Sequence, residues 1–228
     1  MAGLRHLARC AWAQEITGGT VVHRVIPDNC ADILVTADGD AHLVGTATHV
    51  DLPRFGSGTV IHGLRFEPYA VRTVFGLDAG ELTDRTLPLA AVLGDRAARA
   101  VAEAIWTDPT ALSVRWGDVR PERTAVGIVR TLTSPGAPSV DAVAERAGYS
   151  ARHLRRLVRA ETGLSPKTLH RVARLHEFLH RAEEGNAPVG AAAAAAGYAD
   201  QSHATREIRA LTGLTPGQLL AERRAGSA

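Results

Sequence analysis

Between Ser139 and Gly217 the chain states one pattern twice, and that repeat limits what it can fold into. Ala147-Gly148-Tyr149-Ser150 returns as Ala196-Gly197-Tyr198-Ala199, and Thr162-Gly163-Leu164-Ser165-Pro166 returns as Thr212-Gly213-Leu214-Thr215-Pro216. Between these anchors His153 and Arg156 return as His203 and Arg206, with one extra residue entering at about Asp200. Self-similarity at a fixed spacing means two copies of one supersecondary unit, each too small to bury its apolar face alone.

Each copy reads as helix, tight turn, helix, turn. Ser139 caps a first helix carrying Val140, Val143, Ala144 and Ala147, with Asp141 placed favourably near its N-terminus. Gly148 supplies the left-handed stop. Ser150 caps a second helix running to about Glu161 and closed by Gly163, and Ser165-Pro166 opens a third with a cap and a proline at its first position.

The helix after Ser150 carries the functional reading. At 100° per residue Leu154, Leu157 and Val158 share one side, while Arg152, Arg155, Arg156 and Arg159 share the other. In the second copy Ala204, Ile208 and Leu211 face inward; Ser202, Arg206 and Arg209 face outward, with Gln201, His203 and Thr205 at the edges. A stripe of arginine without interspersed glutamate, presented across a glycine turn, suits the DNA major groove, where arginine pairs bidentately with guanine and glutamine with adenine. The alternative, a merely solvated face, leaves the twofold helix-turn-helix punctuation unexplained.

These residues resemble the AraC/XylS type of bacterial transcription regulators over Ser139 to about Gln218. The strongest pieces are Ser150-Ala151-Arg152-His153-Leu154-Arg155-Arg156, Gly197-Tyr198-Ala199-Asp200-Gln201-Ser202-His203 and the two Thr-Gly-Leu-x-Pro turns. The resemblance implies two helix-turn-helix units joined by a long helix, about Lys167 to Glu184, setting two reading helices into successive major grooves. It implies that Arg152, Arg155 and Arg156, with Gln201, Ser202, His203 and Arg206, approach bases. Helix N-termini at Ser150 and Asp200, with Arg159, Lys167 and Arg209, are the expected phosphate contacts. The partner is double-stranded promoter or operator DNA, with RNA polymerase added if the chain activates; homodimerisation stays open, and no cofactor is called for. The chain departs from the family where the second reading helix usually carries aromatic core residues, having Ala204 and Ile208, and where the first has Val158. With the alanine run 191–196 preceding it, the second unit is expected to be the softer one.

The formal charge of +2 hides an asymmetry: from residue 139 onward there are 13 Arg plus Lys against 9 Asp plus Glu, and before it 13 against 15. The cationic half is the repeated half, as phosphate neutralisation requires, but the excess is modest, so arginine placement must carry the DNA argument. No apolar run is long enough to span a bilayer, the N-terminus lacks a signal-peptide pattern, and two cysteines make no disulfide framework, so a cytoplasmic protein is expected.

Ahead of the repeat, Leu7 to Ile16, Thr20 to Ile26, Ile33 to Thr36, Ala41 to Val44 and Thr59 to Phe66 read as strands of a small antiparallel sheet or partial barrel. Helical candidates follow at Tyr69 to Phe75, Leu87 to Leu93, Asp95 to Trp106 and Glu122 to Leu132. Thr133-Ser134-Pro135-Gly136-Ala137-Pro138 reads as a linker. The expected fold class is therefore α+β, with a sensing or dimerisation domain at 1–133, a linker at 134–138 and a double helix-turn-helix domain at 139–228. The stretch from Val22 through Pro27-Asp28-Asn29-Cys30-Ala31-Asp32 to Gly63-Leu64-Arg65-Phe66 resembles the amino-terminal domain of some actinobacterial members, which implies modulation by a small molecule there. No ligand-binding residue is identified. A ligand-independent DNA-binding or interaction module is the alternative.

His176-Glu177-Phe178-Leu179-His180 satisfies the HExxH pattern, which on a helix can place two imidazoles for zinc and a glutamate as general base. A zinc-dependent hydrolase is thus the competing enzymatic reading. It lacks an obvious third ligand, and the segment falls in the helix joining the two units, so neither a metal site nor catalysis is expected. Cys10 and Cys30 are read as buried small hydrophobes.

Overall fold

The computed structural model describes residues 2–183 and 187–226. The expected end of the joining helix at Glu184, and the outermost residues of both expected domains, lie outside the described residues. The α+β organisation is as expected: an antiparallel sheet near the N-terminus, helices after it.

The strands are β1 (Ala8–Glu15), β2 (Val21–Val22), β3 (Ala31–Thr36), β4 (Ala41–Val44), β5 (Arg54–Phe55) and β6 (Val60–Phe66). Two short helices follow, α1 (Val71–Phe75) and α2 (Ala79–Leu82), before β7 (Thr86–Pro88). Five of the strands form one sheet in the order β1-β6-β3-β4-β7, while β2 and β5 pair separately. Two expectations are corrected here. Of the stretch Thr20 to Ile26 only Val21–Val22 is a strand; beyond it the His23 N–H donates to Pro53 O and Val25 exchanges two backbone bonds with Asp51 in an isolated bridge, so the pairing is too broken to continue the strand. The helix expected at Leu87 begins at Leu89, because residues 86–88 close the sheet against β4 and Pro88 can precede a helix but not continue one.

Alternation along β3 turns Ala31, Ile33 and Val35 toward α3 (Leu89–Leu93) and α4 (Asp95–Thr107), building a core with Leu64, Phe66 and Trp116. Asp32 and Arg65, paired across β3 and β6, stand on the other face. There Arg65 Nε donates to Asp32 Oδ1 at 3.1 Å, and its Nη1 lies 2.9 Å from Asp28 Oδ2. Burial works against the Arg65 charge, but the two carboxylates outweigh it and hold the guanidinium charged. Trp12 passes directly over Gly63, where a Cβ would meet the indole Nε1 at 2.6 Å, so only glycine fits.

After α5 (Ser113–Trp116), α6 (Arg123–Thr133) leaves the first core altogether. Its Ile128 and Leu132 pack with Val143, Leu154, Val158 and Leu169, all from the repeated region. Among the described residues six further helices follow: α7 (Val140–Arg146), α8 (Ala151–Thr162), α9 (Pro166–Glu183), α10 (Val189–Ala195), α11 (Gln201–Thr212) and α12 (Pro216–Gly226). The two repeat units have separate cores, with α9 giving Leu169 to the first and Val172, Leu175 and Phe178 to the second. No helix among the described residues is long and apolar enough to cross a membrane.

Candidate nucleic-acid interface

Helices α8 and α11 are built alike, down to the hydrogen bonds that start and stop them. Ser150 Oγ accepts the His153 N–H at 3.2 Å to open α8, and Asp200 Oδ1 accepts the His203 N–H at 2.6 Å to open α11. Each ends on a glycine with φ of 76°, Gly163 and Gly213, a conformation that costs other residues a Cβ clash. The threonine before each glycine is buried and used twice. Thr162 donates to Val158 O at 2.8 Å and accepts the Leu164 N–H at 3.1 Å; Thr212 does the same with Ile208 O at 2.8 Å and Leu214 N–H at 3.2 Å. The hydroxyl thereby supplies helix end and turn together, which is why threonine recurs there.

Leu154 and Val158 anchor α8 inward, and Ala204, Ile208 and Leu211 anchor α11. The bulk that α10 and α11 lack comes from elsewhere: Ala192, Ala193 and Ala196 lie against a cluster that holds Phe178 from α9 and Tyr198 from the turn. Small residues on one helix let the aromatic ones of its neighbours approach.

Arg152, Arg155, Arg156 and Arg159 are exposed on α8, as are Gln201, Ser202, Arg206 and Arg209 on α11 and Lys167 at the start of α9. Among these, Arg155 lies 3.8 Å from Asp141 with both groups solvated, a contact too weak to withhold it from a ligand. Arg159 runs beside Gly80 of α2, at the seam with the N-terminal part. Ser150 and Asp200 are caps, so what they can offer a phosphate is the N–H-rich end of a helix.

His203 is placed differently. Its Nδ1 accepts the Ala199 N–H at 3.2 Å, its ring meets Tyr198 edge-on at 5.5 Å, and its Nε2 lies 3.7 Å from Glu207. Glu207 in turn receives Arg171 and Arg174, each at 3.3 Å. In the first unit His153 keeps only the ring contact, tilted against Tyr149 at 4.5 Å, and its Nδ1 faces Arg156 Nη2 at 3.4 Å instead of a turn N–H. In the second copy the histidine props the turn before α11.

The HExxH residues are engaged in docking and pairing. His176 Nε2 donates to Pro27 O at 2.7 Å across the two parts of the chain, and burial lowers its pKa, holding the ring neutral. Glu177 receives Arg181 Nε at 2.7 Å. Among the described residues no group of three or more His, Cys, Asp or Glu is arranged to hold a metal ion. Cys30 is buried and its thiol is pushed well up by desolvation and then by Asp28, so it is a poor nucleophile; Cys10 is half-buried.

Comparison with known families matches residues 143–222 to a model described as a helix-turn-helix domain, and residues 1–88 to one described as a domain of unknown function, DUF6597. No curated protein matches the chain. Among solved structures, an apo variant of ToxT from Vibrio cholerae strain SCE256 is similar over 92% of this chain and 97% of its own, at 10% identity and a TM-score of 0.48. Wild-type ToxT of the same strain, with an unsaturated fatty acid bound, is similar over 94% of each chain at 9% identity and a TM-score of 0.42.

Proposed function

Residues 143–222 belong to the AraC-type helix-turn-helix family, and from that premise we propose that the chain is a sequence-specific regulator of transcription that reads double-stranded DNA at two points. Arg152, Arg155 and Arg156 read one major groove, and Gln201, Ser202 and Arg206 the next; His203 joins the second set through the turn it holds. Arg159, Lys167 and Arg209, with the helix ends at Ser150 and Asp200, hold phosphates. The observation that carries this reading is the pair of capped helices, alike in construction, each turning an exposed polar face outward from its own core. The chain acts in the cytoplasm and by binding, without catalysis of its own. Residues 1–133 serve as the sensing part, 134–138 as linker and 139–228 as the DNA-binding part, with α6 lent by the first to the core of the last.

The effector of this regulator is a small molecule bound in the N-terminal part. What supports this is a cavity of about 240 Å³ on the sheet face opposite the main core, lined by Val25, Ile26, Asp28, Asp32 and Arg65 among others. It is concave and mixes apolar walls with a few fixed polar groups, as ligand sites do.

The test is selection of bound duplexes from a random pool by the full chain at physiological salt. A motif of two boxes centred about one helical turn (~10 bp) apart is expected. Replacing Arg156 by alanine then costs about 1–3 kcal/mol and relaxes one base pair. A uniform loss across unrelated sequences would assign Arg156 to the backbone, and a pool that yields no motif, with or without a panel of metabolites, would overturn the reading.

A further inference from the structure

A reading helix ends in carbonyls that its own turn cannot satisfy. In both repeat units the N-terminal part of the chain reaches these carbonyls, and at the equivalent position. Thr46 Oγ1 donates to Thr162 O at 3.1 Å, and Thr83 Oγ1 donates to the next carbonyl, Gly163 O, at 3.0 Å. In the second unit Arg24 Nη1 donates to Thr212 O at 2.8 Å, while its Nε donates to Glu222 Oε1 of α12 at 2.8 Å. Between the two turns, α9 is held by Asn29 Nδ2 on Leu169 O at 3.2 Å and by His176 on Pro27 O.

Two units with separate cores joined by one helix can twist and bend about that helix. A second connection, gripping from the N-terminal part the turn that closes each of the two helices α8 and α11, closes the linkage and removes that freedom. From this we infer that Arg24, Thr46 and Thr83 are positioning residues: they fix the two reading helices relative to one another, and thereby select the number of base pairs between the two boxes. The inference rests on the two-point reading proposed above. Thr46 is 2% exposed, so its bond is out of competition with water, and Gly163 leaves no space between the turn and α2. The same three residues border the cavity. Thr46 lies between Gly45 and Ala47, Thr83 precedes Asp84 and Arg24 precedes Val25, and each of those neighbours lines it. A molecule entering the cavity therefore meets the backbone that holds both turns.

One inserted base pair moves a box by about 3.4 Å along the duplex and turns it by about 35°. A stiff protein loses the second box; a loosened one follows it. The experiment compares the full chain with Arg24→Ala and with the double variant Thr46→Val, Thr83→Val, whose replacements keep the side-chain volume. Each binds the selected duplex and duplexes with one base pair added or removed between boxes. The wild-type chain is expected to lose at least about tenfold on either change, and the variants about threefold or less. Spin labels at positions 152 and 202, introduced without using the native cysteines, give a DNA-free readout: a narrow distance distribution in the wild type, a broad one in both variants. The pair Thr46→Ser, Thr83→Ser keeps both hydroxyl donors in place and is expected to restore the narrow distribution, and circular dichroism confirms that each variant is folded. Wild-type spacing preference and an unchanged distance distribution in the variants would overturn the inference alone. A wild-type pool with no two-box motif would instead sink the two-point reading, and the spin-label distances would still decide whether the three residues hold the helices.

Discussion

Gly163 and Gly213 occupy the same place in two copies of one turn, and both have φ of 76°, yet the space around them differs. A Cβ at Gly163 would meet Ala79 O at 2.6 Å and Thr46 Oγ1 at 3.0 Å, whereas one at Gly213 would find nothing nearer than Arg24 Nη1 at 3.5 Å. Alanine at either site costs about 1–2 kcal/mol for the left-handed backbone. At Gly163 alone a further ~1–3 kcal/mol of overpacking follows, so chemical denaturation should rank Gly163→Ala clearly below Gly213→Ala. Equal losses would mean that the seam at α2 yields freely. A second residue-scale prediction concerns pH. His176 has its pKa lowered, first by burial, with Arg223 and Arg9 acting in the same direction and Pro27 O and Asp28 opposing. The unfolded chain therefore binds the proton better than the folded one, so the contribution is fully present above the ordinary imidazole value of about 6.5 and is lost as pH falls below it, through the folded pKa. Melting temperatures at pH 7.5 and 5.5 should drop more for the wild type than for His176→Gln. His170, also lowered by burial, contributes a loss common to both proteins.

At the scale of elements, α6 is the piece whose allegiance sequence reading misplaces most easily. It precedes the Pro135-Gly136-Ala137-Pro138 stretch, yet gives Ile128 and Leu132 to the core of the first repeat unit. Each fully buried side chain of this size contributes about 1.5–3 kcal/mol. A fragment starting at residue 139 should accordingly unfold at lower denaturant and less cooperatively than one starting at residue 120, and the same melting behaviour from both would remove α6 from that core. That α6 and α4 are helices was legible; what each covers was not, because a helical signal is local and says nothing of the surface the helix packs against. The alanines of α10 carry the same lesson. A run with so little bulk reads as a soft unit, but Phe178 and Tyr198 reach it from α9 and the following turn, and Ala192 is fully buried.

For the whole molecule, the excess of cations in the repeated half puts its affinity for DNA under salt control, since each neutralised phosphate releases condensed counterions. Replacing Lys167 by alanine should lower the slope of log affinity against log salt by about 1 and leave the selected motif unchanged. Arg156→Ala should do the reverse, altering the motif more than the slope, and titration of both variants across several salt concentrations separates the two roles. A Lys167 variant with altered base preference would move that residue into the groove.

The twofold repeat, its caps at Ser139, Ser150 and Ser165, its left-handed glycines and the outward arginines of α8 follow from local chemistry: hydrogen-bonding reach, missing Cβ atoms and helical period act within a few residues, and so are written in the sequence itself. The α+β class and most strands were readable for the same reason. β7 was not, because three residues become a strand only when the β4 edge is there to pair with them. The structural duties of His203 and His176 were equally hidden; the tyrosine–histidine pair recurs in both copies and is visible as a unit, but the Pro27 carbonyl lies far away along the chain. Arg24, Thr46 and Thr83 had no sequence signal at all. Each is a single polar residue outside any motif, and its partners are backbone carbonyls, which every residue carries; only the folding together of the two parts decides which carbonyls those are.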